Sequence, residues 1–496
     1  MELDYEHLLH FFILSVLSSF LAVFLINDKY KKTKITLFSM CVVFYVLQTI
    51  SMLTIMWDMN YHFITNLFEP TNYTVAFTTY REYSWLGVGV VLLLIVAIYF
   101  MNKKIKIKND KIRLSLITIC CIFLLTPYSL VHRFSKVLYQ IMYNPSYTKS
   151  YQEVFKELTN QDFVDKDKLV VESKSNKNIV IIFMESFEQN FLNKEHFTGI
   201  SNNLRQLTTE GEFYSNIRQI EGSSWTMAGI HTTLCSSPEI YGVRKNKLFK
   251  TVTISNLVCL PDVLKLAGYY QLYLGGEFKT FAGKSYFLDL HGYDKIYGDK
   301  EVFEEIQVKE EDKWGWGAKD KEVFDLAKIK YKELSSMGKP FNLTISTIAP
   351  HAPAGIYDAR CKNENENSTL NAVQCDDELL ADFINFLKQQ ENYKDTIIMI
   401  LPDHLLMASN ASDVLNNIGN RRLYSLFLNT GINQEFSDKI LYTDLAGMIL
   451  DKLQIKHNAK FLLNNYNGKT AEERVEFVNN NIEKIRAFNN KTIMQE

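Results

Sequence analysis

Three strongly apolar segments of this sequence each lead into acidic or histidine side chains. The residues are Glu185 after segment 178–184, His351 shortly after segment 341–346, and Asp403 with His404 after segment 396–401. In open α/β sheets, ligands collect beyond the carboxyl ends of the strands, so we expect these side chains to share one edge. Adjacent oxygen and nitrogen donors suit a divalent metal ion. Each residue alone fits a helix cap or a structural histidine equally well, and the joint pattern favours the metal site.

A hydroxyl-rich segment, residues 221–230, supplies candidate nucleophiles. It contains Ser223, Ser224 and Thr226 among small residues, and it leads into a helix-like apolar run. A hydroxyl at a helix N-terminus lies where backbone N–H groups favour a bound phosphate. It needs a metal or a base to become nucleophilic at neutral pH. Serine and threonine are also ordinary helix caps, and the local pattern does not rank the three hydroxyls.

These residues need a scaffold that brings distant segments together. Segment 178–184 is a continuous run rich in β-branched residues, which is typical of a buried parallel strand, and segments 341–346 and 396–401 are similar to it. Helical patterns lie between them, among them residues 257–266 and 376–389. This alternation predicts a doubly wound α/β domain over residues 176–465. The apolar spacing in the tail, residues 466–496, predicts one packing helix.

The first part of the chain has a different character. Four apolar stretches are each long enough to span a bilayer, namely 8–26, 35–57, 84–101 and 114–131. We therefore predict four transmembrane helices within residues 1–131, followed by a juxtamembrane helical connector over residues 132–175.

The basic residues predict the orientation of these spans. Lysine and arginine concentrate in the loops 27–34 and 103–113, whereas the N-terminus carries only acidic charges. Loops rich in lysine and arginine face the cytoplasm. This rule places the N-terminus, the loop 58–83 and everything after residue 131 outside.

The cysteines agree with an external domain. Four of the seven lie beyond the predicted spans: Cys235, Cys259, Cys361 and Cys375. An even number there suits an oxidising compartment and two disulfides. Zinc binding is the alternative, but the sequence contains no Cys-x-x-Cys pair. The net charge is −2, whereas nucleic-acid-binding proteins carry an excess of basic residues, so we expect no nucleic-acid partner.

Ordered motifs run from about residue 176 to residue 455. They include Phe-Met-Glu185-Ser-Phe-Glu, Ser-Trp-Thr226-Met-Ala-Gly-Ile, Phe281-Ala-Gly-Lys284, Trp316-Gly, Pro350-His351 and Leu401-Pro-Asp403-His404-Leu. In these motifs the sequence resembles the phosphoglycerol transferase I family and, more distantly, the lipoteichoic acid synthases. Both belong to the alkaline phosphatase and sulfatase superfamily, so the resemblance implies a mixed sheet of that type. Four spans also fit the first family better than the second.

The resemblance implies a role for each site residue. Thr226 is implied as nucleophile and metal ligand, with Glu185, Asp403 and His404 completing the coordination of one Mn²⁺ or Mg²⁺ ion. Zinc is less expected. His351 matches a histidine near the leaving or attacking oxygen. The substrate-binding residues implied are Lys284, Trp225 and Trp316. At Lys284 the lipoteichoic acid synthases have an arginine, and a lysine keeps the charge but loses the bidentate fork.

Two further expectations follow from the resemblance. The cysteines match family positions and pair at short range as Cys235–Cys259 and Cys361–Cys375. The sulfatase signature Cys/Ser-x-Pro-x-Arg is incomplete, because the segment 236–240 ends in Ile240 instead of arginine. We therefore do not expect a formylglycine-dependent sulfatase.

The resemblance implies a membrane-bound transferase that moves phosphoglycerol from phosphatidylglycerol to a periplasmic or cell-surface glycan. A threonine-linked intermediate would form on a catalytic domain outside the bacterial inner (cytoplasmic) membrane. The alternatives within the superfamily are a phosphoethanolamine transferase and an external phosphodiesterase or phosphatase. A catalytically inactive membrane scaffold or a transporter-like protein is the alternative from another class. The sequence does not identify the glycan.

Overall fold

The computed structural model divides the chain into two units, Met1–Asn144 and Pro145–Glu496. The division falls inside the segment that the sequence predicts as a connector, residues 132–175. The structure describes residues 5–55, 85, 89, 92, 96, 109–126, 129–132, 134–135, 149–172, 175–241, 255–315, 317–356, 358–362, 364–407, 409–464 and 469–493. Outside the described residues lie most of the predicted span 84–101, the loop 58–83, the basic residues 103–108, the connector residues 136–148 and Trp316.

The described part of the first unit contains three long helices, which overlap three of the predicted spans. They are α1 (Tyr5–Leu25), α2 (Lys31–Ile55) and α3 (Asp110–Leu124). Inside this unit, Phe12, Val16 and Phe20 of α1 pack with Tyr45 and Leu130. Other apolar side chains are exposed, among them Ile13, Leu14, Leu17, Met40, Val43 and Leu114. None of the described helices has both the length and the hydropathy of a membrane span.

The second unit is built on a sheet with eight strands in its described residues. The strands are β1 (Asn178–Met184), β2 (Glu212–Ile217), β3 (Tyr270–Gly275), β4 (Lys295–Tyr297), β5 (Phe341–Ser346), β6 (Thr396–Pro402), β7 (Leu423–Leu428) and β8 (Gln434–Ser437). Their order is β4-β3-β5-β1-β6-β7-β2-β8. Strand β7 runs antiparallel to β6 and β2, and the other neighbours pair in parallel. The sheet is therefore mixed, as expected.

The three strands predicted from apolar runs lie side by side at the centre of the sheet. Strand β1 pairs with β5 on one side and with β6 on the other. In this register Phe183 lies opposite both Ser346 and Leu401. The carboxyl ends of the three strands are therefore level, and the residues that follow them emerge at one edge.

Helices cover both faces of the sheet. In the described residues of this unit they are α4 (Tyr151–Thr159), α5 (Asn202–Leu207), α6 (Thr226–Cys235), α7 (Leu260–Leu266), α8 (Lys284–Leu290), α9 (Asp299–Ile306), α10 (Asp320–Ser335), α11 (Ser368–Lys388), α12 (Ser412–Ile418), α13 (Leu445–Lys452), α14 (Ala471–Asn480) and α15 (Ile482–Ile493). Alternate residues of β1 belong to two different cores: Ile179 and Ile181 pack with α6, α7 and α13, whereas Val180 and Ile182 pack with α10 and α11. This two-sided burial explains why β1 is apolar at every position after Asn178.

The largest departures from the predicted helices are in α11 and in the tail. Helix α11 begins at Ser368, eight residues before the predicted start, because the Asn367 side chain accepts hydrogen bonds from the backbone N–H of Thr369 and Leu370. The capping side chain thus lets residues 368–375 extend the helix in the N-terminal direction. The tail, predicted as one helix, contains two, α14 and α15, which are separated at Asn481.

Candidate active site

The carboxyl ends of β1 and β6 bring three potential metal ligands together. Glu185 directly follows β1, and Asp403 and His404 directly follow β6. One ligand atom from each lies within 4.8 Å of the other two, and each residue is at most 1% exposed. Because Met184 pairs with Pro402 at the ends of the two strands, the strand register itself creates this ligand cluster.

Hydrogen bonds determine which ligand atoms remain available. Asp403 Oδ1 accepts from the backbone N–H of Ser186 and of His404, both at 2.8 Å. His404 Nδ1 donates to the Leu405 carbonyl oxygen at 2.7 Å, so in the neutral ring Nε2 carries the lone pair. Asp403 Oδ2 and His404 Nε2 are buried and have no hydrogen-bond partner among the described residues. They lie 3.5 Å apart, and His404 Nε2 also lies 3.5 Å from Glu185 Oε1.

The electrostatics of the ligand cluster favour a cation. Burial and the neighbouring Glu185 raise the pKa of Asp403 to about 7. Burial opposes a charged His404, but the carboxylates of Asp403 and Glu185 outweigh it and raise the pKa of the imidazole. A divalent cation would relieve the repulsion between the carboxylates of Asp403 and Glu185. It would also give Asp403 Oδ2 and His404 Nε2 a partner. Two carboxylates and one imidazole are a donor set that fits such an ion.

Thr226 is the hydroxyl that contacts the ligand cluster. It is the first residue of α6, and its Oγ1 donates to Glu185 Oε2 at 3.2 Å. Ser223 Oγ donates instead to the Ile220 carbonyl oxygen at 2.7 Å, and Ser224 is exposed. The sequence left these three hydroxyls unranked, and the contact with Glu185 favours Thr226 as the nucleophile.

Gly229 permits the close approach of α6 to the ligand cluster. A Cβ at this position would lie 1.9 Å from the Asp403 carbonyl oxygen. Any side chain would push away the helix that begins with Thr226, so the glycine sets the distance between that helix and the ligands. Trp225, just before the helix, is 8% exposed and packs in the core on this face of the sheet. Little of its surface is therefore available to a substrate.

His351 lies on the loop after β5. Its Nδ1 donates to a neighbouring backbone carbonyl at 2.7 Å. Desolvation lowers the pKa of the ring to about 4, and His404 acts in the same direction. The imidazole is therefore neutral at pH 7 and suited to accept a proton. Asp320 holds the start of this loop, because its carboxylate accepts from the N–H groups of Ile348 and Ala349 at 2.6 to 3.0 Å.

Lys284 takes part in a buried ion pair. It is the first residue of α8 and 2% exposed, and its ammonium pairs with Glu277 and donates to the Tyr273 hydroxyl at 3.1 Å. Glu277 follows β3, which places the pair near the carboxyl-end edge of the sheet. A contact between Lys284 and a substrate phosphate stays a prediction. Trp316 is not among the described residues.

Two disulfides connect site-bearing segments to helices. Cys235, the last residue of α6, is bonded to Cys259, which precedes α7. Cys361, on the segment after His351, is bonded to Cys375 in α11. Both pairs have the predicted connectivity.

Several residues that support the ligands were not predicted. Ser186 Oγ donates to Glu185 Oε1 at 2.5 Å, and the Glu185 N–H donates to Thr347 Oγ1 at 2.9 Å. Gln219 Oε1 accepts from the Leu405 N–H at 2.8 Å. Ser186 adjoins a predicted ligand and was recognisable from the sequence. Thr347 and Gln219 become neighbours of the ligands only through the sheet, and no local pattern marks them.

Two curated relatives show the sequence similarity. Phosphoglycerol transferase I of Xanthomonas campestris pv. campestris (strain B100) is 36% identical over 247 residues, which cover 48% of this chain and 35% of the relative. Phosphoglycerol transferase I of Escherichia coli O127:H6 is 32% identical over 257 residues, which cover 50% of this chain and 33% of the relative. The chain thus spans about a third of the length of these relatives.

Solved structures and a family match agree on the fold. A protein in the alkaline phosphatase superfamily from Vibrio parahaemolyticus has a TM-score of 0.52 at 19% identity, and the match covers 66% of this chain and 79% of that one. The lipoteichoic acid synthase LtaP from Listeria monocytogenes has a TM-score of 0.53 at 15% identity, with 68% and 97% covered. Residues 177–460, more than half of the chain, match the sulfatase family. The chain therefore belongs to the sulfatase family, with the alkaline-phosphatase-like fold that its motifs predicted.

Proposed function

We propose that this chain is a phosphotransferase that moves phosphoglycerol from phosphatidylglycerol to a glycan, with Thr226 as the nucleophile. The observation that carries the proposal is the 3.2 Å hydrogen bond from Thr226 Oγ1 to Glu185, inside a cluster that fits a divalent metal. Similarity to proteins named phosphoglycerol transferase I favours phosphoglycerol as the transferred group.

The reaction has two steps. In the first, Thr226 Oγ1 attacks the phosphorus of the lipid phosphodiester, and the bond from phosphorus to the diacylglycerol oxygen breaks. Phosphoglycerol remains on the threonine, and the threonine proton passes to the departing diacylglycerol. In the second step a glycan hydroxyl attacks the same phosphorus, the bond from phosphorus to Thr226 Oγ1 breaks, and the proton of the glycan hydroxyl returns to that oxygen. The neutral imidazole of His351 is suited to carry the proton in both steps.

The ligands have a defined task in these steps. Glu185, Asp403, His404 and Thr226 would hold one Mn²⁺ or Mg²⁺ ion, which would lower the pKa of the threonine hydroxyl and stabilise charge on the phosphate. We favour these ions over Zn²⁺ because three of the four donors are oxygen atoms. Glu185 orients the hydroxyl of Thr226 through their hydrogen bond.

A lipid donor requires the enzyme to work at a membrane, and the first unit is the part of the chain suited to hold it there. We propose that it anchors the protein in the bacterial inner (cytoplasmic) membrane, with the second unit facing the periplasm or the cell exterior. Exposed apolar side chains on its helices, such as Ile13, Leu17 and Met40, support contact with lipid. An enzyme held at the membrane surface meets a donor that is confined to the same surface.

The test uses the full-length protein in liposomes that contain Mn²⁺ and phosphatidylglycerol with a labelled headgroup. Oligosaccharides from periplasmic glucan, capsule and lipooligosaccharide serve as acceptors. We expect label on one of these acceptors, no label with Thr226→Ala, and normal transfer with the matched control Ser224→Ala. A parallel assay uses headgroup-labelled phosphatidylethanolamine, and transfer from this lipid instead would identify a phosphoethanolamine transferase. Release of glycerol phosphate to water with every acceptor would identify a phosphodiesterase, and either result overturns the proposal.

A further inference from the structure

Glu188 and the partly buried Arg421 form an ion pair beside the ligand cluster. Glu188 lies on the segment after β1 and is fully buried, and Arg421 lies shortly before β7. Arg421 Nε donates to both carboxylate oxygens at 3.0 Å, and its Nη2 also pairs with Oε2. The planar guanidinium thus holds the Glu188 carboxylate in one orientation.

The same ion pair holds the backbone that follows the ligands. The N–H of Leu406 donates to Glu188 Oε2 at 3.1 Å. The carbonyl oxygen of Leu406 accepts from Arg421 Nη2. Leu406 is two residues after His404, so the pair fixes the segment that carries the imidazole ligand.

One peptide group connects the ion pair to the ligand itself. The peptide bond between Leu405 and Leu406 presents its N–H to Glu188 and its carbonyl oxygen to His404 Nδ1, which donates at 2.7 Å. Hydrogen bonds at the two ends of a peptide polarise each other, so the carboxylate strengthens the acceptor that orients the ring. Metal-binding histidines commonly donate their second ring N–H to a carboxylate or a carbonyl, and that partner fixes the ring. In this site the Leu405 carbonyl contacts the ring directly, and the Glu188 carboxylate acts on the ring through that carbonyl.

We propose that Glu188 and Arg421 are positioning residues that set the metal affinity of the site. They hold His404, through the Leu405–Leu406 peptide, with Nε2 directed at the ligand cluster. This inference rests on the metal centre of the proposed function. Gln219 contributes to the same arrangement, because it accepts from the N–H of Leu405 at 2.8 Å. The pair acts on metal binding and leaves the binding of the lipid donor unchanged.

The experiment measures Mn²⁺ binding to the metal-free full-length protein by calorimetry. Glu188→Gln keeps the shape of the side chain and removes its charge. We expect it to lower Mn²⁺ affinity by about 10- to 100-fold, with one ion still bound. Activity should return at high Mn²⁺, and the KM for the lipid donor at saturating Mn²⁺ should equal that of the wild type. A purely structural role of Glu188 would not shift the Mn²⁺ dependence.

A matched control and a second variant make the outcome decisive. Glu212 is also a buried carboxylate, paired with Lys452, so Glu212→Gln should bind Mn²⁺ as the wild type does. Wild-type affinity in folded Glu188→Gln overturns the inference and leaves the proposed function standing. If circular dichroism shows that this variant is unfolded, Arg421→Lys replaces it. Lysine keeps the positive charge but cannot donate two parallel hydrogen bonds to the Glu188 carboxylate. Affinity equal to that of the wild type in Arg421→Lys overturns the inference as well. A wild-type protein that binds no Mn²⁺ refutes the metal centre itself.

Discussion

Thr226 Oγ1 lies 3.2 Å from Glu185 Oε2, although one residue begins a helix and the other follows a strand 41 positions earlier. The contact depends on two features of the fold. Gly229 lets α6 come close to the Asp403 backbone, and strand β1 ends level with β6. The fold itself thus holds the hydroxyl beside the ligand cluster, which is the arrangement that a metal-activated nucleophile requires.

The first prediction concerns this hydroxyl. Thr226→Ala removes one oxygen and little volume, so the protein should fold normally while transfer falls by about 10³-fold or more. Thr226→Ser keeps an oxygen and should retain part of the activity. The measurement is transfer of labelled phosphoglycerol at equal amounts of folded protein. An alanine variant that still forms product at the wild-type rate would refute the nucleophile assignment.

The second prediction concerns metal-dependent stability. A metal at 100 times its Kd stabilises the folded state by about 2.7 kcal/mol. Asp403→Asn should abolish most of this gain, and it should stabilise the metal-free protein because it removes a charge that burial and Glu185 disfavour. Chemical denaturation with EDTA and with Mn²⁺ measures both effects. The exposed Asp382 provides the control Asp382→Asn, and equal Mn²⁺ stabilisation in both variants would show that the ligand set is wrong.

The third prediction separates two roles of Lys284. Lys284→Gln leaves Glu277 buried without its ion-pair partner, which should cost about 3–5 kcal/mol of unfolding free energy. The double variant Lys284→Gln with Glu277→Gln should recover most of that stability. If the ammonium also binds the donor phosphate, as the resemblance implies, the KM for the lipid stays raised by about tenfold in the stable double variant. A KM equal to the wild-type value there would restrict Lys284 to its structural pair.

The sequence predicted the centre of the sheet better than its edges. Strands β1 and β6 are buried on both faces and read as nearly continuous apolar runs, so their positions follow from composition. Strand β5 is equally buried, but its sequence Phe-Asn-Leu-Thr-Ile-Ser alternates apolar and polar residues. Strand β8, with the sequence Gln-Glu-Phe-Ser, is mostly exposed and carries no such signal. The antiparallel direction of β7 depends on pairing with distant strands, which no local pattern encodes.

The same limit applies to the candidate site. Residues that directly follow predicted strands, such as Glu185 and Asp403, were identified because sheet geometry places strand ends together. Glu188 was part of a recognised motif, but its role depends on Arg421, which lies 233 positions away. Interactions that require a long-range fold were therefore the ones that the sequence did not reveal.

The fourth prediction concerns pH and a buried carboxyl pair. Burial raises the pKa of Asp320 to about 7. Burial also raises the pKa of Asp376, and the negative charge of Asp320 raises it further. A carboxyl with a raised pKa keeps a proton that the unfolded chain releases. The free energy of unfolding should therefore fall as pH rises from about 4 to about 7.

Asp376→Asn tests this pH effect, because the amide keeps the shape of the side chain and removes its charge. The loss of stability between pH 5 and pH 7.5, measured by chemical denaturation in EDTA, should be smaller in this variant than in the wild type. Asp382→Asn, an exposed position on the same helix, should behave as the wild type does. An unchanged pH dependence in Asp376→Asn would contradict the assignment of the buried pair.

The last prediction concerns the two disulfides, which have different consequences for the site. The bridges close chain separations of 24 and 14 residues, so each should contribute roughly 3 kcal/mol to the free energy of unfolding in the chain-entropy model. Cys235–Cys259 ends the helix that begins with Thr226, whereas Cys361–Cys375 lies on the segment after His351. We expect both double serine variants to lose similar stability. Loss of Cys235–Cys259 should reduce activity more at temperatures near unfolding, because it frees the end of the nucleophile helix.

Peptide mapping of unreduced protein, thermal denaturation with and without a reductant, and transfer assays at two temperatures measure these effects. The buried, unbridged Cys120 of the first unit supplies a control, since Cys120→Ser leaves both bridges intact. Free thiols at all four positions in protein isolated from cells would contradict an oxidising location for the second unit. A crossed pairing such as Cys235 with Cys361 would refute the connectivity alone, because the two short loops would then no longer fix the segments that carry Thr226 and His351.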